Sequence, residues 1–176
     1  MTGVDLAAHI RDVPDFPKPG ILFKDVTPLF TEAAALRSAA DAVADHARRV
    51  GADHVISAEA RGFVLGGAVA TAAGCGFVLA RKPGKLPRET VAVEYELEYG
   101  TDTLEVHADA LPAGANVLVH DDLLATGGTA GALCELVERA GGRVAGCSFL
   151  VELSYLSGRE RLGGYGVESL VAYDSE

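Results

Sequence analysis

Apolar and polar positions along the chain follow two periods, one typical of helices and one typical of buried strands. In the stretch 31–51 apolar residues recur at helical spacing, and Gly51 would end that helix. Short apolar runs at 54–57 and 115–120 predict buried strands, and helical spacing returns over 130–140. Because helices and strands alternate, the pattern predicts an α/β fold with a mainly parallel central sheet flanked by helices.

One uncharged segment is long enough to be considered as a membrane span. It comprises the 19 residues from 62 to 80. Five glycines lower its hydrophobicity, however, and the sequence Gly-Cys-Gly at 74–76 interrupts it. The pattern instead predicts a buried helix to about Ala73, a turn, and a short buried strand at 77–80. We therefore expect no membrane partner.

The remaining segments predict a proline-rich loop and three more strands. Residues 14–28 contain four of the seven prolines, which excludes a continuous helix and predicts a stiff, ordered loop. Charges at alternate positions of 91–100, followed by 103–108, predict a pair of strands. A further strand is predicted at 144–153.

Composition and charge restrict the classes of function. At 176 residues the chain fits one domain, and 49% hydrophobic with 23% charged residues indicates a globular protein. The formal charge of −10 argues against nucleic-acid binding, which requires a basic face. Three cysteines without paired metal spacing, and an N-terminal stretch without the apolar core of a signal peptide, predict reduced thiols in a cytoplasmic protein.

A short glycine-rich segment, Thr126-Gly127-Gly128-Thr129, lies between a predicted strand and a predicted helix. Glycine allows the backbone to turn tightly and approach a ligand, and the N-terminus of a helix offers unpaired N–H groups to an anion. The segment is neither a Walker A loop nor a dinucleotide-binding glycine motif. By itself it predicts either a phosphate-binding loop or an ordinary turn in which Thr129 caps the helix.

Two adjacent carboxylates, Asp121 and Asp122, come just before this segment. A carboxylate pair facing a bare phosphate would repel it, so the pair must contact another part of the same ligand. Sugar hydroxyls suit it, because an ionised carboxylate only accepts hydrogen bonds and a vicinal diol supplies two donors. A divalent cation shared with the ligand is the alternative. A strand, paired acids and a glycine-rich loop therefore predict a site for a ribose 5-phosphate.

The segment NVLVHDDLLATGGTA, residues 116–130, resembles the signature with which type I phosphoribosyltransferases bind phosphoribosyl diphosphate (PRPP). Five further blocks resemble the adenine-specific members of that family: VPDFPKPGILFKDVTPLF, EARGF, RKPGKLP, YELEYGTDTLEVHADA and VELSYLSGRERL. The resemblance covers nearly the whole chain. It implies a type I phosphoribosyltransferase fold in a single domain, 1–176, with a small base-binding N-terminal hood of about residues 1–30 and a mobile catalytic loop.

The resemblance also implies an activity and a set of residues for the phosphoribosyl ligand. The activity is transfer of the 5-phosphoribosyl group from PRPP to adenine, which gives AMP and pyrophosphate in purine salvage. Asp121 and Asp122 would face the ribose hydroxyls, directly or through Mg²⁺ and water. The 5-phosphate would be held by Ala125, Thr126, Gly127, Gly128 and Thr129.

Cations are implied at the pyrophosphate, because its leaving charge must be stabilised. The resemblance assigns this role to Arg61, Arg81, Lys82 and Lys85. From the residues alone, RKPGKLP is equally a solvated basic turn, and Arg61 is equally an ion-pair partner of Glu59.

Adenine is placed by the resemblance near the proline-rich segment. Phe23 would stack on the purine, while backbone groups of Leu22 and Lys24 would bind its edge. Without the resemblance, Phe23 would be assigned to core packing.

The catalytic residues implied by the resemblance are Glu98, Tyr99 and Arg61. Glu98 would act as an acid or base near N7 of adenine, and Tyr99 lies in the same loop, which would close over PRPP. A non-proline cis peptide is implied at Glu59–Ala60.

A cofactor and a partner follow from the same resemblance. Mg²⁺ would be held mainly by substrate and water, without direct protein ligands, and Asp121 and Asp122 are the residues the resemblance would place nearest to it. Family members are typically homodimers in which the EARGF segment and the basic loop lie near the partner, so we expect a homodimer. His120 stands where the signature usually has an apolar or acidic residue, and we expect it to be partly buried and hydrogen-bonded.

Two other functions remain open at this point. One is a related purine phosphoribosyltransferase that accepts hypoxanthine, guanine or xanthine, against which the adenine-type blocks argue. The other is a PRPP-sensing regulator without catalysis. Such regulators usually carry a DNA-binding segment, which this short acidic chain would not supply.

Overall fold

A computed structural model describes residues 4–97 and 100–176 of the chain. In these ranges the strands are β1 (Arg11–Pro14), β2 (Leu22–Asp25), β3 (His54–Ala58), β4 (Gly76–Ala80), β5 (Thr90–Glu96), β6 (Thr101–His107), β7 (Asn116–Leu124), β8 (Arg143–Leu153) and β9 (Val167–Tyr173). The helices are α1 (Thr27–Thr31), α2 (Ala33–Arg49), α3 (Arg61–Ala73) and α4 (Gly128–Arg139), with 3₁₀ turns at Ala7–His9, Ser154–Leu156 and Gly158–Leu162.

The central sheet has five strands in the order β4-β3-β7-β8-β9, and each neighbouring pair is parallel. Helices α2 and α3 cover one face, where Val43 and Leu65 are buried. Helix α4 and the antiparallel hairpin β5–β6 cover the other face, where Leu104 and Leu133 are buried. The predicted α/β fold with a mainly parallel sheet flanked by helices is therefore confirmed, and burial on both faces explains the apolar runs of its inner strands.

The uncharged segment folds as the pattern predicts. Helix α3 ends at Ala73, Gly74 adopts a left-handed conformation with φ 77°, and β4 follows. In the described part of the chain no helix is both long enough and apolar enough to cross a membrane. The expectation of a helix, a turn and a short strand is confirmed, but both elements are only partly buried, since Val64 of α3 and Leu79 of the edge strand β4 are 46% and 44% exposed.

The structure differs from the predicted pattern at three places. The proline-rich segment contributes a strand, because Pro14 lies at the end of β1, where a missing N–H donor is tolerated. Strand β7 continues beyond His120 to Leu124, since both aspartates stay within its pairing with β8. Strand β9 is an edge strand with half-exposed residues, so it carries no continuous apolar run to reveal it.

A buried carboxylate ties the last part of the chain to the sheet. Glu152 in β8 is 4% exposed, and its two oxygens accept hydrogen bonds from Nε and Nη2 of Arg159 at 2.6 and 2.7 Å. The hydroxyl of Ser169 in β9 donates to the same carboxylate at 2.6 Å. The hydrogen bond from Arg159 lowers the pKa of Glu152 below its usual value, against the opposing effect of burial.

We expect Arg159→Met to lower the free energy of unfolding by about 2 kcal/mol near neutral pH, because it leaves a buried carboxylate without its cation. The folded-state pKa of Glu152 lies below the ordinary value of 4.5, so the pair stabilises above 4.5 and this contribution is lost as pH falls through the lower value. Urea unfolding at neutral and acidic pH should show the difference from the parent chain shrinking with acid.

The matched control is Arg88→Met, which removes an ion pair between two exposed side chains, Arg88 and Asp109. Its effect should stay below about 1 kcal/mol. Equal losses for the two variants, or an Arg159→Met loss that is independent of pH, would contradict the assignment.

Candidate active site

The carboxyl ends of β3 and β7 lie side by side at one edge of the sheet, where ligands bind in open α/β folds. Three cavities adjoin there. The central cavity, of about 400 Å³, is lined by Arg61 and by residues 121–130. The hairpin-side cavity, of about 390 Å³, shares Asp121 and Asp122 with it. The N-terminal cavity, of about 320 Å³, shares Leu123 and Ala125. Together they form one extended cleft.

The glycine-rich loop lines the central cavity between β7 and α4. Gly127 caps the helix with φ 83°, which favours glycine, and a Cβ there would lie 2.5 Å from the carbonyl oxygen of Gly158. A Cβ on Gly128 would lie 2.7 Å from the carbonyl oxygen of Glu96. The loop is thus packed from behind by backbone, while the free N–H groups of the first turn of α4 can bind an anion.

The two aspartates lie on the floor of the cleft and are nearly buried, at 8% exposure for Asp121 and 6% for Asp122. The N–H of Asp122 donates to Oδ1 of Asp121 at 2.9 Å. Burial, together with the negative charge of Asp122, raises the pKa of Asp121 well above its usual value. The pair therefore offers carboxyl oxygens to a polar ligand in the cavity that the glycine-rich loop also lines.

Arg61 connects the aspartates with the N-terminal hairpin. Its Nε lies 2.9 Å from Oδ2 of Asp122, and its guanidinium carbon lies 5.2 Å from the ring centroid of Phe23. The ion pair with Glu59, which the residues alone left open, does not form within the described structure. Arg61 begins α3, and the next residue, Gly62, allows this helix to approach β7, since a Cβ there would lie 2.6 Å from Oδ1 of Asp121.

The basic loop after β4 is held by two acidic side chains. Glu59 lies 3.5 Å from Nε of Arg81 and 2.8 Å from Nζ of Lys85, and it accepts the backbone N–H of Lys82 at 2.6 Å. The hydrogen bond from Lys85 lowers the pKa of Glu59. The ammonium of Lys82 instead contacts Asp102 and lines the hairpin-side cavity. Of the predicted cations of this loop, the structure therefore places Lys82 in the cleft.

The N-terminal cavity is lined by Leu22, Phe23 and Lys24 of β2. The ammonium of Lys24 bonds Asp12 at 2.7 Å and lies 4.2 Å from the ring centroid of Tyr173, so the side chain is engaged elsewhere. The Phe23 ring meets Phe16 edge to face, with centroids 5.0 Å apart. These contacts leave an apolar wall and strand backbone for a flat ligand.

Two predicted residues, Glu98 and Tyr99, lie outside the described residues. Their neighbour Leu97 lines the central and the hairpin-side cavities. The structure adds Tyr95 and Asp102 to the cleft, which sequence reasoning missed. They are direct cross-strand partners in β5–β6, a pairing that no local sequence pattern reveals.

The remaining backbone and histidine expectations can be compared directly. The peptide Glu59–Ala60 is cis, as the resemblance implies. His120 is completely buried and its Nδ1 lies 3.0 Å from the carbonyl oxygen of Ser148, so it is hydrogen-bonded but more buried than expected. Burial lowers the pKa of His120 to about 4, which keeps the ring neutral.

Comparison with known proteins assigns the chain and its fold to one family. A family profile described as "Phosphoribosyl transferase domain" matches residues 29–163. The chain is similar to the adenine phosphoribosyltransferase of Rubrobacter xylanophilus, with 62% identity over 166 residues that cover 94% of this chain and 90% of the relative.

Solved structures agree with this match. The adenine phosphoribosyltransferase of Thermoanaerobacter pseudethanolicus superposes with a TM-score of 0.93 at 48% identity, covering 96% of this chain and 98% of the other. The Saccharomyces cerevisiae enzyme, in complex with an imino-altritol bisphosphate and adenine, superposes with a TM-score of 0.89 at 39% identity, covering 94% and 96%. With a parallel sheet, a phosphate-type loop after β7 and a profile match over most of its length, the chain belongs to the phosphoribosyltransferase family.

Proposed function

We propose that the chain transfers the 5-phosphoribosyl group of PRPP to adenine, giving AMP and pyrophosphate. The observation that carries this proposal is a single cleft that joins the glycine-rich loop, the buried Asp121–Asp122 pair, an apolar pocket and a lysine-lined pocket. Each part matches one portion of PRPP or the base. The relatives named for adenine favour this base over hypoxanthine, guanine or xanthine.

The central cavity would hold the ribose 5-phosphate. Backbone N–H groups and hydroxyls of Ala125 to Thr129 would bind the phosphate, with the N-terminus of α4 supplying a favourable dipole. Asp121 and Asp122 would accept hydrogen bonds from the ribose hydroxyls. Their burial supports this role, because a buried carboxylate accepts several hydrogen bonds, and Arg61 and the N–H of Asp122 supply one donor to each.

The hairpin-side cavity would hold the pyrophosphate. Lys82 lines it, and Arg61 borders both this cavity and the central one. Arg81 and Lys85 are ion-paired with Glu59, so binding of pyrophosphate would have to compete with that carboxylate for them. Arg61 and Lys82 thus line the cavity, whereas Arg81 and Lys85 would first have to leave Glu59.

The N-terminal cavity would hold adenine. The ring of Phe23 would stack on the purine, and backbone groups of Leu22 and Lys24 would bind its edge. Backbone groups suit adenine, which offers a donor beside an acceptor. The engagement of Lys24 with Asp12 supports recognition through its backbone rather than its ammonium.

The reaction breaks the bond from C1 of the ribose to the pyrophosphate oxygen, and N9 of adenine forms the new bond from the opposite side. Arg61 and Lys82 would stabilise the charge on the leaving group. With adenine bound as the N7–H tautomer, N9 is free to attack, and Glu98 would take the proton from N7 as the new bond forms. Closing of the loop with Tyr99 would exclude water from the electrophilic ribosyl carbon.

Magnesium is the cofactor we propose for this site. Within residues 4–97 and 100–176 no cluster of three or more histidine, cysteine, aspartate or glutamate side chains is placed to bind a metal ion. Asp122 is already paired with Arg61, and burial raises the pKa of Asp121, so the aspartates fit an ion held mainly by substrate oxygens and water. When bound, magnesium would offset the charge of the pyrophosphate.

We further propose a cytoplasmic homodimer. Val64 on α3 and Leu79 on the edge strand β4 are 46% and 44% exposed, which supports a partner against this side of the molecule. The free thiols of Cys75, Cys134 and Cys147 suit a reducing compartment. Sedimentation of the purified chain at assay concentration should give twice the mass of one 18.2 kDa chain.

Purified protein with PRPP and Mg²⁺ should form nucleotide with adenine and not, at comparable rate, with hypoxanthine, guanine or xanthine. Chromatographic separation of the products, with each base in turn, measures this. Product with another base alone would replace the substrate in the proposal. Binding of PRPP without any product would instead indicate the regulator.

We expect Gly127→Ala to raise KM for PRPP and to weaken AMP binding by at least about tenfold, because the added Cβ meets the Gly158 carbonyl oxygen at a left-handed φ. Calorimetry with AMP and steady-state kinetics measure the two effects. The control is Gly131→Ala in the same helix, where a Cβ would meet no atom within 4 Å. Unchanged AMP binding in Gly127→Ala would remove this loop from the phosphate site.

We expect Glu98→Ala to lower kcat by about 10²- to 10⁴-fold while AMP still binds, because general acid–base catalysis contributes roughly that factor. Glu94→Ala, at an exposed glutamate of β5, is the control and should keep its turnover. Full turnover in Glu98→Ala would exclude this carboxylate from the proton transfer.

A further inference from the structure

The ammonium of Lys82 is surrounded by partners from both strands of the hairpin. It contacts Oδ2 of Asp102 in β6, and Tyr95 in β5 interacts electrostatically with both Lys82 and Asp102. Tyr95 and Asp102 face each other directly in the register of β5–β6. All three side chains line the hairpin-side cavity with Asp121 and Asp122.

The carboxylate of Asp102 is itself fixed. Its Oδ1 accepts the backbone N–H of Thr103 at 2.8 Å, so Oδ2 is left for Lys82. The chain next to Lys82 is fixed as well, because Arg81 and Glu105 exchange backbone hydrogen bonds at 2.9 and 2.7 Å. The basic loop therefore lies along β6, and only the side-chain contacts decide where the ammonium sits.

We propose that Asp102 and Tyr95 are positioning residues that hold the ammonium of Lys82 at the place where the pyrophosphate of PRPP binds. This inference rests on the proposed function of the cleft. An ammonium has three N–H donors, of which Asp102 takes one, so the others remain for phosphate oxygens. The arrangement also links the β5–β6 hairpin to Lys82, the cation proposed to bind the leaving pyrophosphate.

A carboxylate beside a pyrophosphate site has two opposing effects. It repels the ligand, and it orients the lysine and keeps it charged in a partly buried position. Burial lowers the pKa of Lys82, but Asp102 and Tyr95 outweigh it and raise the pKa above its ordinary value of 10.5. The other charged groups around Lys82 are Glu59, at its backbone N–H, and Arg61 and the two aspartates across the cavity.

The test is Asp102→Asn, which keeps the shape of the side chain and removes its charge. We expect kcat/KM for PRPP to fall about 10- to 100-fold, as for a misplaced binding group, with KM for adenine unchanged. Since the raising effect of Asp102 is then lost, the pKa of Lys82 falls relative to the parent, and kcat/KM for PRPP should decline at lower pH than in the parent enzyme. Tyr95→Phe should show the same effects more weakly.

Two controls separate positioning from general damage. Asp109→Asn changes an exposed carboxylate just after the hairpin and should leave the kinetics and their pH profile unchanged. In a Lys82→Arg background, Asp102→Asn should no longer move the alkaline side of the profile, because arginine does not titrate there. Thermal unfolding identifies a variant that fails to fold, in which case Tyr95→Phe carries the test.

A lower KM for PRPP in Asp102→Asn would mean that Asp102 only repels the ligand, and it would overturn the inference. An unchanged pH profile, or an equal rise of KM for adenine, would do the same. If the parent chain is inactive with every purine base, the proposed function fails separately. Calorimetry with inorganic pyrophosphate then tests this inference, which predicts weaker binding by Asp102→Asn.

Discussion

The parallel pairing of β3 with β7 is the constraint on which the rest of the site depends. Val55 pairs with Leu118 and Ile56 with Val119, so both strands end at the same edge of the sheet. One end leads into Glu59 and Arg61, and the other carries the aspartates. Because parallel strands expose their carboxyl ends together, segments sixty residues apart in sequence meet there without any dedicated contact. The Arg61–Asp122 ion pair forms at that junction.

In the cleft, acidic side chains lie next to basic ones rather than in a separate region. The chain is acidic overall, yet the cavities bring together a guanidinium, the ammonium group of Lys82 and buried carboxylates. Glu59 and Asp102 hold cations of the basic loop, and Asp122 holds Arg61. An acidic protein can thus present local positive charge to a polyanion, since each cation is oriented by an acid behind it. Glycine has the complementary role in the loop before α4, where a Cβ on Gly127 would lie 2.5 Å from the carbonyl oxygen of Gly158.

The sequence motifs identify some residues of the site, and the tertiary structure identifies others. Asp121, Asp122 and the loop 125–129 were recognisable because they are contiguous, and contiguous residues keep their relation in any fold that forms the strand and helix. Lys82 was recognisable as basic, but nothing local distinguishes it from Lys85. Tyr95 and Asp102 were not recognisable, because their significance lies in a cross-strand pairing and in a lysine twenty residues away from Asp102.

The sequence by itself determined the alternation of helices and strands, the parallel sheet, the turn at Gly74 and the phosphate-type loop. Periodicity and glycine positions are local properties, so they do not depend on which segments later pack together. Only the tertiary structure decided that β7 continues through both aspartates, that Arg61 pairs with Asp122, and which cation of the basic loop faces the cleft. These outcomes depend on the register of strands and on competition between distant charges, and no local pattern in the chain encodes that competition.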